Sequence, residues 1–80
     1  MYKELLEYIV KSLVINSDVV QVEQTNTDAK LILRLKVAKE DMGRVIGKDG
    51  RIIRSIREVV GAYASKNHEK VAVEIEEIKQ

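Results

Sequence analysis

The spacing of apolar residues switches between two periods along the chain, and the order of the switches leaves few folds open. In residues 2–14, Tyr2, Leu5, Leu6, Ile9 and Leu13 recur at three- and four-residue spacing, with Glu7 and Lys11 paired on the other side. This is the pattern of an amphipathic helix, and "NSD" at 16–18 ends it. Residues 19–25 alternate, Val20 and Val22 against Gln21 and Glu23. After the turn-forming "NTD" at 26–28, Leu31, Leu33, Leu35 and Val37 alternate with Ile32, Arg34 and Lys36. Two alternating runs joined by a short polar turn predict a hairpin. Residues 39–46 predict a short helix, with Glu40 and Asp41 in a first turn that favours acids. Residues 51–65 carry a second helical stripe, Ile52, Ile53, Ile56, Val59, Val60 and Tyr63. "SKNHE" breaks it, and Val71, Val73 and Ile75 alternate with Glu74 and Glu76 in a last strand. The order α–β–β–α–α–β predicts an α+β two-layer sandwich, a three-stranded sheet covered by three helices.

Eighty residues without proline, low-complexity segment or internal repeat predict a single domain over 1–80. A core of this size is marginal, so self-association or a stabilising partner is expected. Disulfides and thiolate metal sites are excluded because there is no cysteine, and the single His68 leaves little for zinc. Lys3, Glu4, Glu7 and Lys11 interrupt the first apolar pattern as no signal peptide would. No segment has the ~18 apolar residues of a membrane span. The expected compartment is the cytoplasm, with no membrane contact. Net charge is only +1, so contact with a polyanion would need a local patch.

Such a patch lies where the helical pattern is broken. "DMGRVIGKDGRIIRSIR", residues 41–57, holds Gly43, Gly47 and Gly50 in one segment. Each glycine weakens a helix interior by about 1 kcal/mol relative to alanine. One account needs no ligand: Gly43 relieves a close helix contact, Gly47 ends one helix, and Gly50 lets the chain reverse into the next. The charge argues for more. Arg44, Lys48, Arg51, Arg54 and Arg57 face only Asp49 across 44–57, a local charge of +4, whereas residues 69–80 carry −2. A tight turn opening onto a helix N-terminus presents free N–H groups and a dipole that favours anions. Side chains absent at 47 and 50 let a phosphate approach those amides, with Lys48 and Arg51 as flanking cations. Other phosphate motifs fit poorly. A P-loop needs four residues between its glycines, and Gly43 and Gly47 have three; there is no G-x-G for a dinucleotide fingerprint. A G-x-x-x-G membrane contact fails on charge.

With Ile46, Gly47, Lys48, Asp49, Gly50 and Ile53 in register, "VIGKDGRIIRSIR" resembles the I-G-x-x-G-x-x-I signature of the KH (K homology) domain. The element order resembles the type II arrangement, and the whole chain is similar to small single-domain bacterial KH proteins of the KhpA type. The resemblance implies a G-x-x-G loop that clamps the backbone of about four single-stranded nucleotides, with bases in an apolar groove beside it. By position it assigns Ile46 and Ile53 to that groove, with Val45 and Ile52 as further candidates. Lys48 and Arg51 go to phosphates, and Arg44 and Arg54 to the basic rim. It also implies single-stranded RNA as partner, pairing as a homodimer or with a larger KH-containing protein of the KhpB type, and work as an RNA chaperone or post-transcriptional regulator. Two departures stand out. Asp49 puts a negative charge beside the phosphate path and resembles an N-cap for the helix that follows, and "VINSD" lacks a proline expected there.

Other residues carry weaker signals. Tyr2 and Tyr63 fit core positions, Tyr8 an interface, and His68 a surface loop. Glu40–Asp41 and Glu76–Glu77 are adjacent acids, which do not aim two carboxylates at one point and are expected to be solvated. No nucleophile–base pattern or metal-ligand spacing is present, so an enzyme is not expected, nor a cofactor. Two rival functions remain open: a protein-interaction module that dimerises through the glycine-loop face, and a ribosome-assembly factor.

Overall fold

The computed structural model describes residues 1–79. The elements are α1 (Tyr2–Lys11), β1 (Gln21–Asn26), β2 (Leu31–Val37), α2 (Met42–Ile46), α3 (Arg51–Lys66) and β3 (Val71–Glu77). Short 3₁₀ turns occupy Ser17–Val19, Lys39–Asp41 and Lys48–Gly50. The α–β–β–α–α–β order and the two-layer α+β architecture are those the periodicity predicts.

Strand β2 lies in the middle, antiparallel to β1 and parallel to β3. Parallel neighbours need a crossover, and α2 and α3 supply it. Register aligns Val22, Leu35 and Ile75 on one row and Gln24, Leu33 and Val73 on the next. The helices cover this face, and Leu33, Leu35 and Val37 are fully buried against Leu6, Val10, Val45 and Val60. Each such side chain contributes about 1.5–3 kcal/mol by leaving water. The other face is a charge ladder: Lys36 Nζ lies 2.9 Å from Glu23 and 3.7 Å from Glu76, and Arg34 lies 3.6 Å from Glu74. These pairs are largely exposed and add little stability.

Helix α1 stops at Lys11, short of the expected 14, and its Leu13 is 38% exposed. The cause is Asp41. The Ser12 hydroxyl donates to the Tyr8 carbonyl at 2.8 Å. The next two free amides, Ile15 N–H and Asn16 N–H, donate to Asp41 Oδ1 and Oδ2 at 3.0 and 2.9 Å. The Asn16 side-chain amide adds a third donor at 3.1 Å, and Arg44 Nη1 lies 3.5 Å from Oδ1. Asp41 is 0% exposed, so the expectation of a solvated acid fails there. It is the N-cap residue of α2 yet makes no side-chain cap to it. The expected helix over 39–46 is likewise shorter, because its first turn is 3₁₀.

Burial pushes the Asp41 carboxyl up, but the two backbone N–H donors, the Asn16 amide and Arg44 outweigh it and hold it below its ordinary 3.8. A carboxyl depressed by folding stabilises above its unfolded value, and that stability is lost as pH falls through the folded value. Asp41→Asn is therefore expected to melt below wild type near neutrality, with the gap closing as pH drops through the carboxylate range. Parallel melting curves down that range check it; a gap that stays constant would show that the charge contributes nothing.

At the other end of α1, the Tyr2 and Tyr63 rings meet edge-on, centroids 5.4 Å apart. Tyr2 is buried, its hydroxyl donating to Glu69 Oε1 at 2.9 Å and accepting from Asn67 Nδ2 at 3.1 Å. Tyr8 is 74% exposed, and Val59, expected in the α3 stripe, is 51% exposed. The buried line of α3 is Ile53, Ile56, Val60 and Ala64.

Candidate nucleic-acid interface

Helix α2 ends because Gly47 takes φ 76°, ψ 177°, a backbone region that L residues with a Cβ scarcely enter. Its N–H closes the helix onto the Gly43 carbonyl at 2.9 Å. A Cβ there would also lie 2.6 Å from Ile52 Cγ1 and 2.9 Å from Cδ1. Gly47 is therefore fixed twice, by backbone conformation and by the approach of Ile52. Asp49 (φ 57°, ψ 25°) and Gly50 (φ 74°, ψ 17°) follow in the left-handed region. Glycine enters it freely and aspartate is among the residues that tolerate it. Gly43 has open space where a Cβ would stand, so the close helix contact expected of it is absent.

The same turns decide which amides face outward. Gly47 N–H is used by α2, and Gly50 N–H reaches back to the Gly47 carbonyl at 3.2 Å. Among the described residues, no carbonyl accepts the N–H of Lys48 or Asp49. The two middle residues of the loop, both exposed, thus present the open donors. The N-cap of α3 is Gly50, and no side chain caps that helix. The N-cap expected of Asp49 is not formed, and its residue type answers instead to the left-handed backbone.

Three cations surround these donors. Lys48, Arg51 and Arg54 are exposed, and among the described residues none lies within 4.0 Å of a carboxylate. Arg54 Nη2 approaches the Asp49 carbonyl at 3.4 Å, which keeps its guanidinium over the loop. Arg44 turns the other way: its Nη1 donates to the Glu40 carbonyl at 3.0 Å, back along α2 and beside Asp41. The structure therefore brings Lys48, Asp49, Arg51 and Arg54 to the loop and directs Arg44 away from it.

The apolar residues divide in the same manner. Ile46 and Ile52 are half-buried next to Gly47, whereas Ile53 is 7% exposed and belongs to the core together with Val45. Of the two neighbours, Ile52 rather than Ile53 lies against Gly47. Adjacent isoleucines on one helix face different ways, and spacing alone does not tell which faces in.

Among the described residues, no cluster of three or more His, Cys, Asp or Glu could hold a metal ion, and no helix is long and apolar enough to cross a membrane.

A family model described as "KhpA/KhpB, KH domain" matches residues 3–75. The chain belongs to this KH-domain family. Within it, the RNA-binding protein KhpA of Clostridium acetobutylicum is 55% identical over 73 residues, covering 91% of this chain and 97% of that protein. KhpA of Listeria monocytogenes, also named an RNA-binding protein, is 49% identical over 73 residues, 91% of this chain and 96% of its own. KhpA of Borreliella burgdorferi is 44% identical over 72 residues, 90% and 88% of the two chains. Among solved structures, a variant of Aquifex aeolicus Era bound to GDP.AlF4- superposes with a TM-score of 0.61 over 95% of this chain and 29% of that one. At 15% identity that likeness concerns the fold. The type II KH architecture thus stands on the KhpA/KhpB family match as well as on element order.

Proposed function

We propose that this KhpA/KhpB-family chain is non-enzymatic and that its KH domain grips single-stranded RNA by the sugar–phosphate backbone. One observation carries the proposal: the open N–H groups of Lys48 and Asp49 sit between two glycines, ringed by Lys48, Arg51 and Arg54, cations with no ion-pair partner among the described residues. Open amides recognise phosphate oxygens, and their position is fixed by Gly47 and Gly50 rather than by mobile side chains. Ile46 and Ile52 offer apolar surface for the bases beside the clamp. The names of the relatives, RNA-binding protein KhpA, agree with this chemistry.

The grip is weak and reads little sequence. Three cations neutralising about three phosphates give a slope of log affinity against log salt of about −2 for a single strand. Useful affinity then comes from joining two modules, since the second contact forms at high effective concentration. The chain accordingly works as a dimer, with a second copy or with a larger KhpB-type protein, in RNA chaperoning or post-transcriptional control. Tyr8, Leu13 and Val59 give the helical side exposed apolar surface for such pairing, whereas the loop tip is charged.

Titration with short oligoribonucleotides at low ionic strength tests the clamp. The amide signals of Lys48 and Asp49 are expected to shift most, those of Gly47 and Gly50 to follow, and those of the β1 edge to stay still. Binding with the loop signals unmoved would remove the proposal.

A further inference from the structure

Arg57 stands in a register that should be apolar. It falls between Ile53, four residues before, and Val60, three after, both on the buried line of α3. Helix geometry therefore aims its stem toward the sheet. The stem ends at the open edge: Arg57 Nε donates to the Val73 carbonyl at 3.1 Å. Among the described residues, strand β3 has β2 as its only neighbour. Leu31 N–H takes the Lys70 carbonyl and Ile78 N–H takes the Val37 carbonyl. Backbone groups of a parallel strand alternate sides, so Val73 faces away from β2. The guanidinium is thus clamped at one corner by main chain, on the rim between α3 and the sheet edge. Six residues of helix, about 9 Å, separate it from Arg51 beside the loop. Among the described residues no carboxylate lies within 4.0 Å of it.

We infer that Arg57 is a specificity-determining residue that reads a base edge two-pronged, favouring guanine or cytosine over adenine, one or two nucleotides along from the loop clamp. With Nε committed, the two terminal amino groups remain as parallel donors with no acceptor capacity. Such a fork matches a base that shows two acceptors side by side, O6 and N7 of guanine or O2 and N3 of cytosine, and is opposed by adenine, where an amino donor adjoins both N7 and N1. Unpaired bases of a single strand expose these edges. A freely rotating arginine would pair with phosphate equally well; the Val73 carbonyl removes much of that freedom, and the phosphate path lies at the loop.

This inference rests on the RNA-binding proposal above, and the experiment separates the two. Short uridine oligomers carrying a single guanosine, adenosine or cytidine are titrated against wild type, Arg57→Lys and Arg57→Gln, with salt slopes and melting curves for each protein. The expected result is a roughly tenfold preference of wild type for guanosine or cytidine over adenosine. In both variants that ratio falls toward one, while Arg57→Lys keeps the affinity for plain uridine oligomer and its salt slope. The inference is overturned if wild type shows no preference or if the preference survives Arg57→Lys. It is equally overturned if the variants lose affinity for all oligomers alike with a smaller salt slope, which marks a phosphate contact, or change only in melting, which marks a strand-edge cap. If wild type binds none of the oligomers, the RNA-binding proposal falls with it.

Discussion

Replacing Gly47 by alanine is expected to cost about 3 kcal/mol of stability, the sum of a backbone region closed to alanine and a methyl group forced onto Ile52. For a domain of this size that lowers the melting temperature by about 15 °C. Gly50→Ala is the internal comparison. Its φ of 74° is also left-handed, but a Cβ there meets nothing within 4 Å, so the cost is about 1–2 kcal/mol. Chemical denaturation of both variants measures the difference. Equal losses would mean that Ile52 does not press on Gly47, and that the loop is held by conformation alone. Ile52→Val should in turn recover part of the Gly47→Ala loss, since it trims the clashing side chain.

The second large effect concerns binding. Lys48→Asp changes an exposed residue whose backbone is ordinary, so stability should not move. It deletes one phosphate contact and sets a repulsion in its place, each about 1 kcal/mol at a protein surface. Affinity for a single-stranded oligoribonucleotide should then fall roughly thirtyfold at low salt. Asp49→Asn is its mirror image. It keeps a residue that tolerates the left-handed backbone, removes the one acid of the loop, and should tighten binding by about two- to fivefold. Fluorescence anisotropy at two salt concentrations reads both, and the differences should narrow as salt rises. If Lys48→Asp binds as wild type does, the loop is not where the strand is held.

Element order and the glycine turn are legible in the sequence, because each depends on contacts within a few residues. The alternation of Leu31, Leu33, Leu35 and Val37 marks β2 with its observed limits. What local pattern could not carry was set by distant partners. The end of α1 depends on Asp41, far along the chain, which takes the amides of Ile15 and Asn16. An acid before a short helix looked solvated because nothing nearby announces such a partner. Ile52 and Ile53 are neighbours of one type, and only the position of α3 over the sheet decides that Ile53 enters the core. Arg57 enters the sequence reading only as one charge of the basic segment, though its spacing from Ile53 and Val60 was the available signal of a stem along the apolar line. The double role of Gly47 likewise needed the Ile52 side chain in place; its spacing gave only the turn.

The two faces of the molecule are electrically unlike. On the sheet side Arg34 and Lys36 are largely cancelled by Glu23, Glu74 and Glu76, whereas among the described residues Lys48, Arg51, Arg54 and Arg57 on the loop and α3 have no carboxylate within 4.0 Å. A nearly neutral chain therefore has a large dipole moment, and a polyanion drifting past exerts a torque on it. The protein rotates before collision, so that first touch falls on the Gly47–Gly50 end rather than at random. That pre-alignment raises the encounter rate without deepening the bound state, and fades once the screening length drops below about 10 Å.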